Sequence, residues 1–176
     1  MPYIMRHGES LANVGNFVGT DLGLSTLGRE QAEHAEVPAG VRTVMPSSLA
    51  RSCETASILA EMHDLEIAEP NPVFDEIRFG DLDGTEIDGR FDELYGTDID
   101  RLCRSCDGDD PLLRAIDALD VLASLPADVL VVSSDTLIRC MQGFLETGGL
   151  LPLSSLPQIG NCEVLKYDGK SISPIA

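Results

Sequence analysis

Apolar residues fall along the chain in two rhythms, short runs of three to five and stripes at three- and four-residue intervals, which predicts strands interleaved with helices. Tyr3-Ile4-Met5 is a short apolar strand that runs into the polar Arg6-His7-Gly8-Glu9-Ser10. Ser25 is placed to cap a helix from 26 to about 35, and Pro38 and Gly40 separate it from a second strand over 41–45. Pro46-Ser47-Ser48 opens a helix with Leu49, Cys53, Ala56 and Ala60 on one face and Arg51 in its first turn. Ile67-Ala68 is a brief strand, and the segment 74–80 after Pro70 and Pro72 reads as extended or loop. Asp110-Pro111 starts a helix carrying Leu112, Ile116, Leu119 and Ala123 on one face, stopped by Pro126. Val129-Leu130-Val131-Val132 is apolar without interruption, the pattern of a strand covered on both faces, and it is expected at the centre of the sheet. A helix over about 136–146 ends at Gly148-Gly149, and the run 162–167 followed by Asp168-Gly169 predicts a terminal hairpin.

This interleaving places the chain in the α/β class, as a three-layer α/β/α sandwich with a mainly parallel central sheet. Its 176 residues suit one domain spanning 1–176. The segment 81–110 sets eleven acidic residues against Arg90, Arg101 and Arg104 among several glycines, and is expected to be a solvent-facing excursion with one short helix near 91–94. Aromatic residues make up 5% with no Trp, so packing must rest on aliphatic side chains. The formal charge of -18 repels nucleic acid and anionic membranes, and neither is an expected partner. The first residues lack the basic start and apolar stretch of a signal peptide, and no apolar run approaches the ~20 residues that span a bilayer, so the expected location is cytoplasmic. Cys103 and Cys106 form a CxxC, but without a second pair or a nearby His they read as ordinary thiols and no metal site is expected.

Parallel sheets gather their sites at the carboxyl ends of the strands. Three polar clusters occupy such positions: Arg6-His7-Gly8-Glu9, the segment 47–51, and Ser133-Ser134-Asp135-Thr136. Converging, they would bring two guanidiniums and one imidazole together, with Glu76 near. That set matches a tetrahedral oxyanion, because guanidiniums bind phosphoryl oxygens bidentately while an imidazole nitrogen attacks phosphorus. Each residue also has a plainer reading. Arg51 could pair with Glu54 on its own helix, and Ser134 and Asp135 stand where side chains cap helices. His34 and His63 fall late in their helices and are expected at the surface.

The opening Tyr3 to Ser10, with Asn13 after it, resembles the signature of the histidine phosphatase superfamily, the phosphoglycerate-mutase-like branch one. The segments 24–32 and 47–56 resemble that family's "LTxxGxxQA" and "SxLxRAxQTA", and 76–84 resembles the stretch bearing its proton-donating Glu, so the likeness covers nearly the whole chain in order. The resemblance implies that His7 is the nucleophile of a phosphohistidine mechanism and that Arg6 and Arg51 clamp the phosphoryl group. It also implies that Glu76 protonates the leaving oxygen and that Asn13 borders the phosphate. No metal or organic cofactor is implied. A chain this short, with a modest insertion after Glu76, looks more like the phosphatases of the family than its longer mutases, so the expected activity is a phosphomonoesterase on a small metabolite. One departure stands out: where the family reads Ser-His-Gly-Gly, this chain reads Ser133-Ser134-Asp135-Thr136. Ser134 takes the place of the second pocket histidine, and Asp135 adds a carboxylate beside it. Two alternatives follow, a repurposed site in which His7, Glu76 and Asp135 carry out elimination or isomerisation, and a non-catalytic oxyanion-binding protein.

Overall fold

The structure, a computed structural model, describes residues 1–175 apart from the side chain of Arg90. In chain order it contains β1 (Tyr3–Arg6), α1 (Leu11–Val14), α2 (Thr26–Glu33), β2 (Thr43–Pro46), α3 (Ala50–His63), β3 (Glu66–Ile67), α4 (Gly89–Thr97), α5 (Ile99–Ser105), α6 (Pro111–Ser124), β4 (Val129–Ser133), α7 (Asp135–Thr147), β5 (Val164–Tyr167) and β6 (Ile172–Pro174). The strands form one sheet in the order β3-β2-β4-β1-β5-β6. The first four are mutually parallel, and β5 and β6 close one edge as an antiparallel hairpin. This is the expected α/β sandwich with a mainly parallel sheet.

The Val-rich run becomes β4, buried at all five positions between β2 and β1. Because successive side chains point to opposite faces, Val129 and Val131 join the apolar cluster of α6 and α7, while Leu130 and Val132 join Met5, Val44, Ala56 and Leu59 on the α3 side. Ile4 and Met5 divide between the two clusters in the same way. No helix among the described residues is long and apolar enough to cross a membrane.

Three expected elements differ in detail. The acidic segment holds two helices rather than one, and it is not merely solvent-facing: Phe91, Ile99, Leu102, Cys103 and Cys106 are buried in the main core. On α5 and its C-cap the spacing of three and four puts Ile99, Leu102, Cys103 and Cys106 on one side, while acids such as Asp92, Glu93, Asp98 and Asp107 are exposed. On α3 the buried face is Arg51, Ser52, Thr55, Ala56 and Leu59 rather than the apolar stripe through Leu49, Cys53 and Ala60. Its polar members are drawn inward by tertiary partners, since Arg51 bonds to His7 and Thr20 and Thr55 to Gly8. The α6 face is likewise rotated, with Ala115, Ala118, Leu119 and Leu122 buried and Ala123 outside.

At the carboxyl edge, Arg6 lies opposite Ser133 and Pro46 opposite Val132. Backbone bonds carry this register one residue further, from His7 N to Ser133 O at 3.0 Å and from Ser47 N to Val132 O at 2.8 Å. Helix α2 crosses the loop after β1 at backbone contact. A Cβ on Gly28 would run into the Glu9 carbonyl, and one on Gly8 into the Gly28 carbonyl, so both positions require glycine for space. Ser25 caps α2 through Gly28 N and also donates to Glu9 Oε1 at 2.7 Å, tying helix and loop together.

Candidate active site

His7 follows β1 directly and is 3% exposed. Its Nδ1 lies 2.6 Å from the carbonyl oxygen of Gly8. A carbonyl only accepts, so Nδ1 carries the proton and Nε2 the lone pair. Arg51, in the first turn of α3, donates from Nε to that lone pair at 2.9 Å and from a terminal nitrogen to Thr20 O at 3.0 Å. Burial, then the charges of Arg51 and Arg6, pull the His7 pKa down to about 3. The imidazole is therefore neutral across the physiological range. Thr55 fixes both partners, donating to Arg51 O at 2.8 Å and accepting from Gly8 N at 3.1 Å.

Arg6 ends β1 and donates to Ile159 O at 2.7 Å, and its buried Nε has no hydrogen-bond partner among the described residues. Burial lowers the Arg51 pKa, while Glu76, Asp21 and Asp75 act in the opposite direction. Glu76 accepts at Oε1 from Ile77 N at 2.9 Å and Leu137 N at 3.1 Å, and at Oε2 from Thr136 N at 3.4 Å. It thus serves the free amides at the start of α7 from outside the helix. Burial pushes the Glu76 pKa up, with the Arg51 charge pulling it down. Asn13 uses its side-chain oxygen to accept from Ser10 N at 3.0 Å and Ser10 Oγ at 2.9 Å, the capping box of α1.

Arg6, His7, Asn13, Arg51, Glu76 and Asp135 all border one cavity of about 200 Å³. Ser134, which stands in the motif position of the second pocket histidine, is not among the residues that border it. It is fully buried, and its Oγ has no hydrogen-bond partner among the described residues. Nor does Ser134 cap α7 with its hydroxyl, because Glu76 has taken those amides. Asp135 accepts from Ile159 N at 3.1 Å, pairs with Arg139 at 3.1 Å and receives the Tyr95 hydroxyl at 3.4 Å. Its carboxylate holds the 153–159 loop through two routes, since Arg139 also donates to Leu153 O and, at 3.2 Å, to Leu156 O. His34 and His63 are exposed and bond to the backbone oxygens of Glu30 and Ala35.

Sequence reasoning missed the cavity's other wall, formed by Phe17, Val18, Phe79, Ile87, Phe91 and Tyr95. Phe91 and Tyr95 stack at 5.4 Å between centroids, and Phe79 meets Phe91 edge-on at 5.3 Å. Their spacing of four on α4 was the available signal, masked by the acids around them. The Tyr95 hydroxyl also lies 3.0 Å from Thr136 Oγ1.

Among solved structures, the chain is similar to a protein from Bacillus stearothermophilus, YhfR, at 21% identity and TM-score 0.78, over 99% of this chain and 95% of that one. It is similar to a mycobacterial hydrolase at 22% identity and TM-score 0.76, over 96% and 91% of the two chains. A mycobacterial glucosyl-3-phosphoglycerate phosphatase, solved with VO3, matches at 24% identity and TM-score 0.74, over 97% and 94%. These likenesses are likenesses of fold. A search of curated proteins finds no match. The sequence profile of the histidine phosphatase superfamily, branch 1, matches residues 2–172, and with its fold in place around an imidazole between two arginines, the chain belongs to that superfamily.

Proposed function

We propose that this protein is a phosphomonoesterase that acts on a small phosphorylated metabolite through a phosphohistidine on His7. The observation that carries this reading is the His7 tautomer: Nδ1 is committed to Gly8 O, so the nucleophilic lone pair sits on Nε2 beside Arg51 at 2.9 Å. Arg6 and Arg51 would bind the phosphoryl oxygens, and their charge would drop the barrier by meeting the developing negative charge. As the oxygens draw the Arg51 guanidinium toward themselves, Nε2 is released from its hydrogen bond and attacks phosphorus. The P–O bond to the leaving group breaks, and that oxygen takes the proton of Glu76, whose raised pKa keeps it protonated above the usual carboxyl range. Water then attacks the phosphohistidine, gives its proton to Glu76, and leaves inorganic phosphate and free His7. Without an imidazole at position 134 the site lacks one donor, which costs roughly 10²–10³ in rate.

The three partners of Asp135 favour this reading over a proton-transfer site, because a carboxylate engaged by Arg139, Ile159 and Tyr95 is a structural tie rather than a poised base. The test is phosphate release from a broad panel of phosphomonoesters by wild type and His7→Ala between pH 5 and 8. Acid-labile, base-stable phosphate on wild type alone would be sought in rapid-quench samples. Turnover and labelling that disappear in His7→Ala are expected. Turnover that survives the substitution, or none with folded protein, overturns the proposal.

A further inference from the structure

The aromatic side of the cavity has no part in the phosphoryl chemistry, so it must face whatever the phosphoryl group is attached to. Three features restrict that group. First, one part of the lining is largely apolar: Phe17, Phe79, Phe91 and Tyr95 with Val18 and Ile87. The rings pack on one another at 5.3 and 5.4 Å, which holds this face in place.

Second, the hydroxyl side chains that border the cavity already spend their protons within the protein. Ser10 bonds to Asn13, Thr20 to Val18 O, and Thr136 to the Tyr95 hydroxyl. Tyr95 is kept protonated by burial and by the neighbouring Asp135 and Glu76 carboxylates, which push its pKa up. A polyol entering here would find no hydroxyl proton free for its oxygens, and each hydrogen bond to water that it gives up unmet counts against it.

Third, Arg6 and Arg51 are the positively charged side chains among the described residues that line the cavity, and both stand at the His7 end. The other ionisable side chains on its border are acids: Glu76, the proton donor, Asp135, paired with Arg139, and Asp92, exposed on α4. A substrate bearing a second anion, such as the carboxylate of a phosphorylated hydroxy acid, finds no further counter-charge and meets repulsion from Asp92. At about 200 Å³ the space is smaller than the roughly 300–1,000 Å³ of drug-sized ligand sites and somewhat larger than the ~150 Å³ that holds a benzene.

We propose that the leaving group is uncharged and apolar, a single aromatic ring or a short alkyl chain, and that the aromatic wall with Asp92 selects against phosphorylated acids and polyols. This rests on the phosphomonoesterase reading, but it can be judged apart from turnover.

The experiment is calorimetric binding of non-hydrolysable phosphonates to the wild-type protein at pH 7: phenylphosphonate, 3-phosphonopropionate and 2,3-dihydroxypropylphosphonate. Phenylphosphonate is expected to bind at least tenfold tighter than either competitor. Phe17→Ala, at a residue 38% exposed and so safe for folding, should reduce that preference several-fold, and Asp92→Lys should improve 3-phosphonopropionate relative to phenylphosphonate. Equal affinities, a preference for the carboxylated or hydroxylated ligand, or no binding of phenylphosphonate overturns the inference. Hydrolysis of phenyl phosphate is followed in parallel. Selective phosphonate binding without hydrolysis of any ester would refute the phosphatase reading and keep the apolar subsite, whereas hydrolysis without selectivity would do the reverse.

Discussion

Holding His7 neutral has a cost in acid that can be worked out. Its folded pKa is about 3 against an ordinary 6.5, so between those values the unfolded chain binds a proton that the folded protein refuses. A group whose pKa is depressed by folding leaves stability intact above its unfolded value, and stability is lost as pH falls toward the folded one. At about 1.4 kcal/mol per pH unit the loss from His7 is roughly 2 kcal/mol at pH 5 and about 5 kcal/mol near pH 3. Glu76 works the other way, because its folded pKa is raised: its contribution is present in acid and is lost as pH rises through the folded value. The His7 share is isolated by comparison with His7→Gln, which keeps an amide of similar reach but takes up no proton. Urea unfolding of both proteins at pH 7 and pH 5 is expected to show wild type losing about 2 kcal/mol more than the variant over that interval. The chain has three histidines, so the His7 imidazole signal is identified by its disappearance from the variant's NMR spectrum. In wild type it should not titrate between pH 8 and 5. Equal losses in the two proteins, or a His7 midpoint near 6.5, would refute the argument that burial and the two arginines hold the ring neutral.

Other consequences follow from the same contacts. Activity should fall as pH rises through the elevated Glu76 pKa, and Glu76→Gln should lower kcat by roughly 10²–10⁴ and abolish that alkaline limb in a pH–rate profile. Glu76→Ala should in addition cost about 0.5–2 kcal/mol in urea unfolding, since Thr136 and Leu137 lose their capping acceptor. Arg51→Lys removes the Nε donor and the planar fork, and steady-state kinetics are expected to show kcat/KM down ~10²–10³-fold, with a loss of about 1–3 kcal/mol in urea unfolding as the buried bonds to His7 and Thr20 O go. Asp135→Ala leaves the guanidinium of Arg139 charged, buried and without its carboxylate, a loss of about 3–5 kcal/mol and of roughly 10 °C in Tm by calorimetry. An Asp135→Ala protein as stable as wild type would show that the carboxylate is not the tie inferred here.

What could be read from the sequence were the features written in local order. The run 129–132 sets four consecutive apolar residues just after Pro126, the pattern of a strand covered on both faces, and it became the buried strand inside the sheet. Ser25, Asp110-Pro111 and Gly148 marked helix ends because capping depends on a few neighbouring residues. The motifs around His7, Arg51 and Glu76 were legible for the same reason, and the fold brings all three to one cavity. Partnerships across the chain had to come from the tertiary structure. Nothing local reveals that Glu76 caps a helix sixty residues on, that Asp135 holds the 153–159 loop, or that the acidic segment turns aromatic rings inward. Averaged charge hid that last stripe, and Ser134 shows the converse: its position in the motif suggested the pocket, but it is fully buried at the start of α7 and is not among the residues that border the cavity. Reach, burial and the competition for backbone amides are properties of packed atoms, and no spacing along the chain contains them.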